Sequence, residues 1–194
     1  TEPTGAGCRD AEEPAERKVG KRRAPTFRAE EGKSYTAVVQ TSCGTVEIAL
    51  DTKRAPRTAS SFISLVREGF YDGLGFHRII TGFVVQGGDP LGTGNGDPGY
   101  SITETPPSNL KYEPGVVAMA KTQLEEPGTS GSQFFIVSGP DAAASLTTPD
   151  YALVGKVTEG MDVVERLQNV PVDPAADNRP IEPVVIEKAT IRES

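Results

Sequence analysis

The sequence predicts a mainly β fold, an antiparallel barrel or sandwich with two helices. Three observations lead there. About eight short apolar segments have strand composition or period-two alternation, and only two segments have helical spacing. The strand segments follow one another with few helices between them, which disfavours an alternating parallel α/β sheet. The 21 Gly and 16 Pro residues supply the many turns such a fold needs.

Residues 1–33 come first and differ from the rest. They are rich in Glu, Arg, Lys, Pro and Gly, hold almost no large apolar side chains, and read as a polar tail or linker that cannot build a core. Its basic cluster, Arg17, Lys18, Lys21, Arg22 and Arg23, reads as a solvated linker ahead of a membrane or partner contact. The ordered domain is expected over 34–194. Tyr35 to Thr41 is strand-like. Val46, Ile48 and Leu50 alternate with polar or small residues, and Ser42-Cys43-Gly44 makes the turn of a hairpin. The period then changes: Ala59, Phe62, Ile63 and Val66 fall on one helical face, with Pro56 in the first turn and Gly69 at the C-terminal cap.

The central ribbon, Gly75 to Asp89, reads as two short strands around Thr81-Gly82. His77, Arg78 and Gln86 stand inside this apolar run. A charged group there costs stability unless it faces water, a partner or a ligand, so Arg78 and Gln86 are the first candidates for function. Residues 89–115 form a long loop. Its Gly94-x-Gly96-x-x-Gly99 is not a dinucleotide fingerprint, because Pro98 lies inside it and no helix follows. Strands are expected again at Val116–Ala120, Gln133–Val137 and Ala152–Val157. Met161, Val164 and Leu167 mark the second helix, and Pro183 to Ile191 is the last strand.

Composition excludes several classes. The net charge is −7; residues 1–33 contribute +1 and the remainder −8, which argues against nucleic acid as partner. No apolar run approaches membrane-spanning length. One histidine and two cysteines make a protein-only zinc site improbable. A Ser-His-Asp triad would need His77, and no Gly-x-Ser-x-Gly elbow is present. Residue 1 is Thr, so the chain is read as cut from a longer one.

The stretch Phe76-His77-Arg78-Ile79-Ile80-x-Gly82-Phe83-x-x-Gln86-Gly87-Gly88-Asp89 resembles the cyclophilins, which are peptidyl-prolyl cis-trans isomerases. Three further blocks agree in order: Gly44-x-Val46 through Pro56-x-Thr58-Ala59-x-x-Phe62; Met119-Ala120 with Gly131-Ser132-Gln133-Phe134-Phe135-Ile136; and Gly155-Lys156-Val157-x-Glu159-Gly160-Met161. The resemblance covers about residues 35–191 and implies a closed eight-stranded antiparallel barrel capped by two helices.

It also implies the site. Arg78 maps onto the family's catalytic arginine, a hydrogen-bond donor to the prolyl nitrogen, and Gln86 would hold the guanidinium and the substrate carbonyl in register. Phe83, Val84, Phe135 and Leu146 would form the proline pocket. The main chain of Lys121 would bind the residue before proline, with Met119, Ala120 and Gln133 beside it. His77 matches a family histidine and is given no acid–base role. Partners would be proline-containing peptides and unfolded or folding proteins, engaged by a monomer without cofactor or metal.

Three departures qualify this. Leu146 stands where many relatives have tryptophan, and Tyr151 sits near a position often held by histidine. The pocket stays apolar but loses an indole N–H, so cyclosporin A is expected to bind weakly. Thr81 replaces a common proline. Lys121 to Pro127 replaces an Asn-Ala-Gly-Pro stretch and differs from it in length and charge, at the surface that would meet residues beyond proline. The tail resembles that of bacterial extracytoplasmic members, implying a Cys8–Cys43 disulfide, an oxidising compartment, and an anchor upstream of residue 1; two free thiols and a cytoplasmic location stay open. Two other functions also stay open: a proline-peptide binding module with incidental catalysis, and a carbohydrate-binding barrel, the latter weakened by the absence of Trp.

Overall fold

The computed structural model of the chain describes residues 7–194. The first six residues of the expected tail lie outside it. In chain order the strands are β1 (Tyr35–Thr41), β2 (Gly44–Leu50), β3 (Arg78–Ile80), β4 (Val84–Gly87), β5 (Ile102–Thr103), β6 (Val116–Met119), β7 (Thr129–Ser130), β8 (Phe134–Val137), β9 (Leu153–Glu159), β10 (Val172–Asp173), β11 (Arg179–Pro180) and β12 (Ile186–Glu193). The helices are α1 (Pro56–Arg67), α2 (Asp141–Ser145) and α3 (Met161–Gln168).

Eight strands make one antiparallel sheet in the order β12-β1-β2-β9-β6-β8-β4-β3. Its curl follows from the right-handed twist of strands. The expected closed barrel is corrected here: the edge strands β12 and β3 do not pair with each other among the described residues. Contact across the gap is made by the chain just ahead of β3. Gly73 N–H donates to Ile186 O at 2.7 Å, Ile186 N–H to Leu74 O at 2.8 Å, and Phe76 N–H to Val184 O at 2.9 Å. The sheet is therefore open along β3 and bridged below it. The two-helix expectation is also corrected. Besides α1 and α3, α2 forms within Asp141-Ala-Ala-Ala-Ser145, too short to show a period in sequence.

Alternation along the strands sorts side chains into two apolar clusters. Ile79, Val85, Val117, Met119, Phe134, Ile136 and Val154 point into the main core with α1, α3 and the rings of Phe62 and Tyr71. Val84, Val116, Ala118, Phe135, Val137 and Leu153 point the other way, into a second cluster with Tyr112 and Leu110. That opposite face carries the site.

Helix α1 starts at Pro56, but Ala55 ahead of it offers no side-chain cap. Glu104, from the long loop, supplies it: the carboxylate accepts from Arg57 N–H at 3.0 Å, Thr58 N–H at 2.7 Å and the Thr58 hydroxyl at 2.7 Å. An anion on free N–H groups at a helix start satisfies orphan donors and complements the dipole. Glu104→Ala is expected to lower stability by about 1–2 kcal/mol. A urea midpoint that does not move would show that water replaces the cap at no cost.

Residues 7–33 lie along the body as an extended strap. Cys8 is bonded to Cys43 in the β1–β2 turn, and both are buried. Arg9 N–H donates to Ser42 O at 2.8 Å, Arg17 N–H to Pro90 O at 2.7 Å and Arg22 N–H to Gly99 O at 2.8 Å. Val19, Phe27 and Ala29 pack against the main core. Two members of the basic cluster turn inward: Arg17 lies over the Phe70 ring at 5.6 Å, and Arg22 pairs with Glu68 at 2.5 Å.

Candidate active site

The site is a row across the sheet. Register pairs Arg78 with Gln86, Gln86 with Phe135, Phe135 with Ala118, and Ala118 with Leu153. Residues directly opposite one another share a face, so these five side chains stand side by side on β3, β4, β8, β6 and β9. Ile79 and Val85, one residue along, face the core. The alternation that buries Ile79 therefore places Arg78 outward, 29% exposed at the side chain.

Beside Arg78 opens a cavity of about 460 Å³, lined by His77, Arg78, Phe83, Val84, Gln86, Gly94, Ala120, Lys121, Thr122, Gln123, Phe135, Leu146, Tyr151 and Asp177. Its floor is apolar. The Phe135 and Tyr151 rings meet edge-on at 5.3 Å, and Leu146 is set by the end of α2, where its N–H donates to Ala142 O at 2.7 Å. A second cavity of about 560 Å³ adjoins it, sharing Gln86, Gly94, Ala120, Lys121 and Thr122, and including Gln133 with Val19 and Lys21 of the strap.

A polar chain joins the two. Arg78 Nη1 donates to Gln86 Oε1 at 3.5 Å, Gln86 Nε2 to Gln133 Oε1 at 3.1 Å, and Gln133 Nε2 to the carbonyls of Gly94 and Gly96 at 2.9 Å each. The loop bearing those carbonyls is wound around buried Asp89, whose carboxylate accepts from the N–H groups of Leu91, Thr93 and Gly94. A Cβ on Gly96 would lie 1.9 Å from Asp89 Oδ1, so only glycine fits there.

The predicted site residues thus meet in two joined cavities, with one exception. Met119 is 2% exposed and packs in the main core, lining neither cavity. Its strand alternates, and the outward neighbours are Ala118 and Ala120. Lys121 differs in a second way: its ammonium turns in to Asp150 at 2.8 Å and lies 5.4 Å from the Tyr151 ring centroid. Sequence reasoning missed Asp89, Asp150 and Asp177. Asp89 stood in the motif, and its place between Gly88 and a Gly-rich loop was a usable signal. Asp177 had none.

His77 has both ring nitrogens shut off from solvent and without a hydrogen-bond partner among the described residues. Burial lowers its pKa from the ordinary 6.5, with Asp89 opposing and Arg179 and Arg78 assisting. The folded protein then disfavours the imidazolium relative to the unfolded chain. The stability this gives is complete above about pH 6.5 and is lost as pH falls through the folded value. His77→Gln is expected to flatten that part of the fall in Tm between about pH 7 and 5. Identical pH–Tm curves for the two proteins would exclude His77 as a source.

Residues 36–191 match the family described as cyclophilin type peptidyl-prolyl cis-trans isomerase. The chain belongs to that family and is a peptidyl-prolyl cis-trans isomerase. Over 174 residues it is 37% identical to peptidyl-prolyl cis-trans isomerase A of Mycobacterium tuberculosis, covering 80% of this chain and 91% of the relative. It is 43% identical over 125 residues to peptidyl-prolyl cis-trans isomerase B of Bacillus subtilis, covering 64% and 83%. A crystal structure of a Cryptosporidium parvum cyclophilin type isomerase in the presence of the dipeptide Ala-Pro is similar with a TM-score of 0.72 at 31% identity, covering 81% of this chain and 98% of the other.

Proposed function

We propose that the chain accelerates Xaa-Pro rotation in folding proteins through Arg78, acting as donor to the prolyl nitrogen. The planar amide resists rotation by about 18–20 kcal/mol because the nitrogen lone pair is delocalised. As the bond twists, that pair localises on nitrogen and becomes an acceptor. A fixed N–H donor then stabilises the twisted state more than the planar one, which is the requirement for catalysis. The observation that supports this reading most is the placement of Arg78. It stands at the edge of a cavity with an apolar floor and is tied to Gln86 in the neighbouring register position.

The proline ring seats against Phe83, Val84, Phe135, Leu146 and Tyr151, where water is excluded and hydrogen bonds strengthen. Gln86 holds the guanidinium. Gln133, Ala120 and the main chain of Lys121 take up the residues before proline in the adjoining cavity. No covalent bond breaks, and these steps call for no cofactor. The chain acts as a monomer. Leu146 offers no N–H, so cyclosporin A binds weakly. The buried Cys8–Cys43 bond supports an extracytoplasmic location, in the bacterial envelope or secreted.

Exchange spectroscopy on an Ala-Pro-containing peptide tests the mechanism. Catalysed exchange that collapses in Arg78→Ala supports it. Exchange undiminished in that variant removes Arg78 from the chemistry. Localisation is tested separately, by fractionating cells and trapping the thiols before lysis: free thiols in the native host point to the cytoplasm.

A further inference from the structure

We propose that Asp177 is a positioning residue for Arg78. The inference rests on Arg78 being the donor, and it concerns the part of the guanidinium that Gln86 leaves free. Guanidinium carries five N–H donors. Gln86 takes one on Nη1. Asp177 Oδ1 takes the Nε–H at 3.3 Å. The side chain is thereby held from both sides, and rotation about its last torsions is restricted. Among the described residues, one N–H on Nη1 and both on Nη2 remain for a substrate.

The backbone places Asp177 there. Strands β10 and β11 form a small hairpin, with Val172 opposite Pro180 and Asp173 opposite Arg179. Its turn is closed by the Asp173 carboxylate accepting from Ala175 N–H at 2.9 Å and by Asn178 N–H donating to Asp173 O at 3.0 Å. Asp177 and Asn178 have φ of 53° and 58°, two successive non-glycine residues in the left-handed region. Asp and Asn tolerate that region better than other side chains. The hairpin is anchored at three points: to β3, to the glycine-rich loop and to the strap. Asn178 O accepts from Ile79 N–H, the residue after Arg78, at 3.0 Å. Arg179 Nη1 donates to Gly92 O at 2.9 Å, and Arg179 pairs with Glu13 of the strap. A turn this strongly fixed sets the Asp177 carboxylate against Nε.

Asp177 is 78% exposed, so its pair with Arg78 is screened by salt and its effect is modest. The test uses Asp177→Gly, Asp177→Ala and Asp177→Asn, with Arg78→Ala alongside. Glycine removes the carboxylate and accepts the positive φ; alanine removes it and strains the turn; asparagine keeps an acceptor oxygen and the backbone preference. Glycine and alanine are both expected to slow catalysed exchange at saturating peptide about three- to fivefold, with peptide Kd unchanged. Asparagine is expected to recover most of the rate. In an Arg78→Ala background, Asp177→Gly should add nothing. A glycine variant as fast as wild type overturns the proposal, and alanine slow with glycine normal assigns the effect to the backbone instead. A loss that appears in Kd, an asparagine no better than glycine, or additivity with Arg78→Ala also overturns it. If Arg78→Ala itself is fully active, the donor reading fails, whatever Asp177 does.

Discussion

Arg78→Ala is expected to lower kcat/KM for an Xaa-Pro peptide by about 10²–10³-fold, the usual cost of removing one preorganised donor aimed at charge that develops in the transition state. That is about 3–4 kcal/mol out of the roughly 6–7 kcal/mol needed to bring exchange from tens of seconds to milliseconds. The remainder stays with the apolar cavity, which still seats and desolvates the ring. The loss should therefore fall on the exchange rate within the complex while peptide Kd changes little. Arg78→Lys is informative beside it. An ammonium keeps the charge, but it has no planar fork with which to meet Gln86 and Asp177 while still presenting a donor to nitrogen. It is expected to restore only a small part of the rate. A lysine variant as active as wild type would mean that positive potential at the rim suffices and that directed donation does not matter. The readout is two-dimensional exchange NMR at saturating peptide, with the Kd measured by titration.

The fold and the central part of the site were legible because both rest on short-range pattern. Val84, Val85 and Gln86 alternate between faces, as do Phe134, Phe135, Ile136 and Val137, so the strands and the outlying Arg78 and Gln86 could be read directly. Met119 was misplaced because a family resemblance transfers a position but not the direction of its side chain; alternation along β6 turns it inward. The closed barrel failed for a similar reason. Strand number was readable, but closure depends on which main-chain groups meet across the last gap, and here residues 73–76 meet 184–186 in place of β3 meeting β12. Asp177 lay in a Pro-rich stretch without period. Its importance arises from a turn conformation and a contact 99 residues away in sequence, and no local signal encodes either. Composition read the strap as a tail that cannot build a core, and only the resemblance pinned it through Cys8. Its few apolar residues, Val19, Phe27 and Ala29, are the ones that touch the core, and its main-chain hydrogen bonds are invisible to composition.

The strap is where the second large effect is expected. Replacing Cys8 and Cys43 together by Ser should lower stability by about 4 kcal/mol, because the bond closes a loop across a sequence separation of 35 residues and removes that much entropy from the unfolded chain. For a chain of 194 residues this corresponds to a fall in Tm on the order of 10 °C. Two buried serines in place of the half-cystines add an unfavourable term, since Cys8 and Cys43 are 3% and 4% exposed. Reduction of the wild-type protein offers a comparison free of the serines. Catalysis should hardly change at temperatures where the variant stays folded, because the disulfide anchors the strap beside the β1–β2 turn, outside both cavities at Arg78. The strap itself should loosen from its pinned end, exposing Arg17, Arg22 and Arg23 to trypsin sooner than in wild type. Attachments that remain, among them Arg17 N–H to Pro90 O and Arg22 N–H to Gly99 O on either side of Val19, predict that loosening is gradual and that Val19 keeps its place beside the second cavity longer than the Cys8 end does. Differential scanning calorimetry and timed proteolysis read the two effects separately. A Tm unchanged within about 2 °C would mean that the bond's constraint on the unfolded chain is offset elsewhere and that the bond contributes almost nothing to net stability.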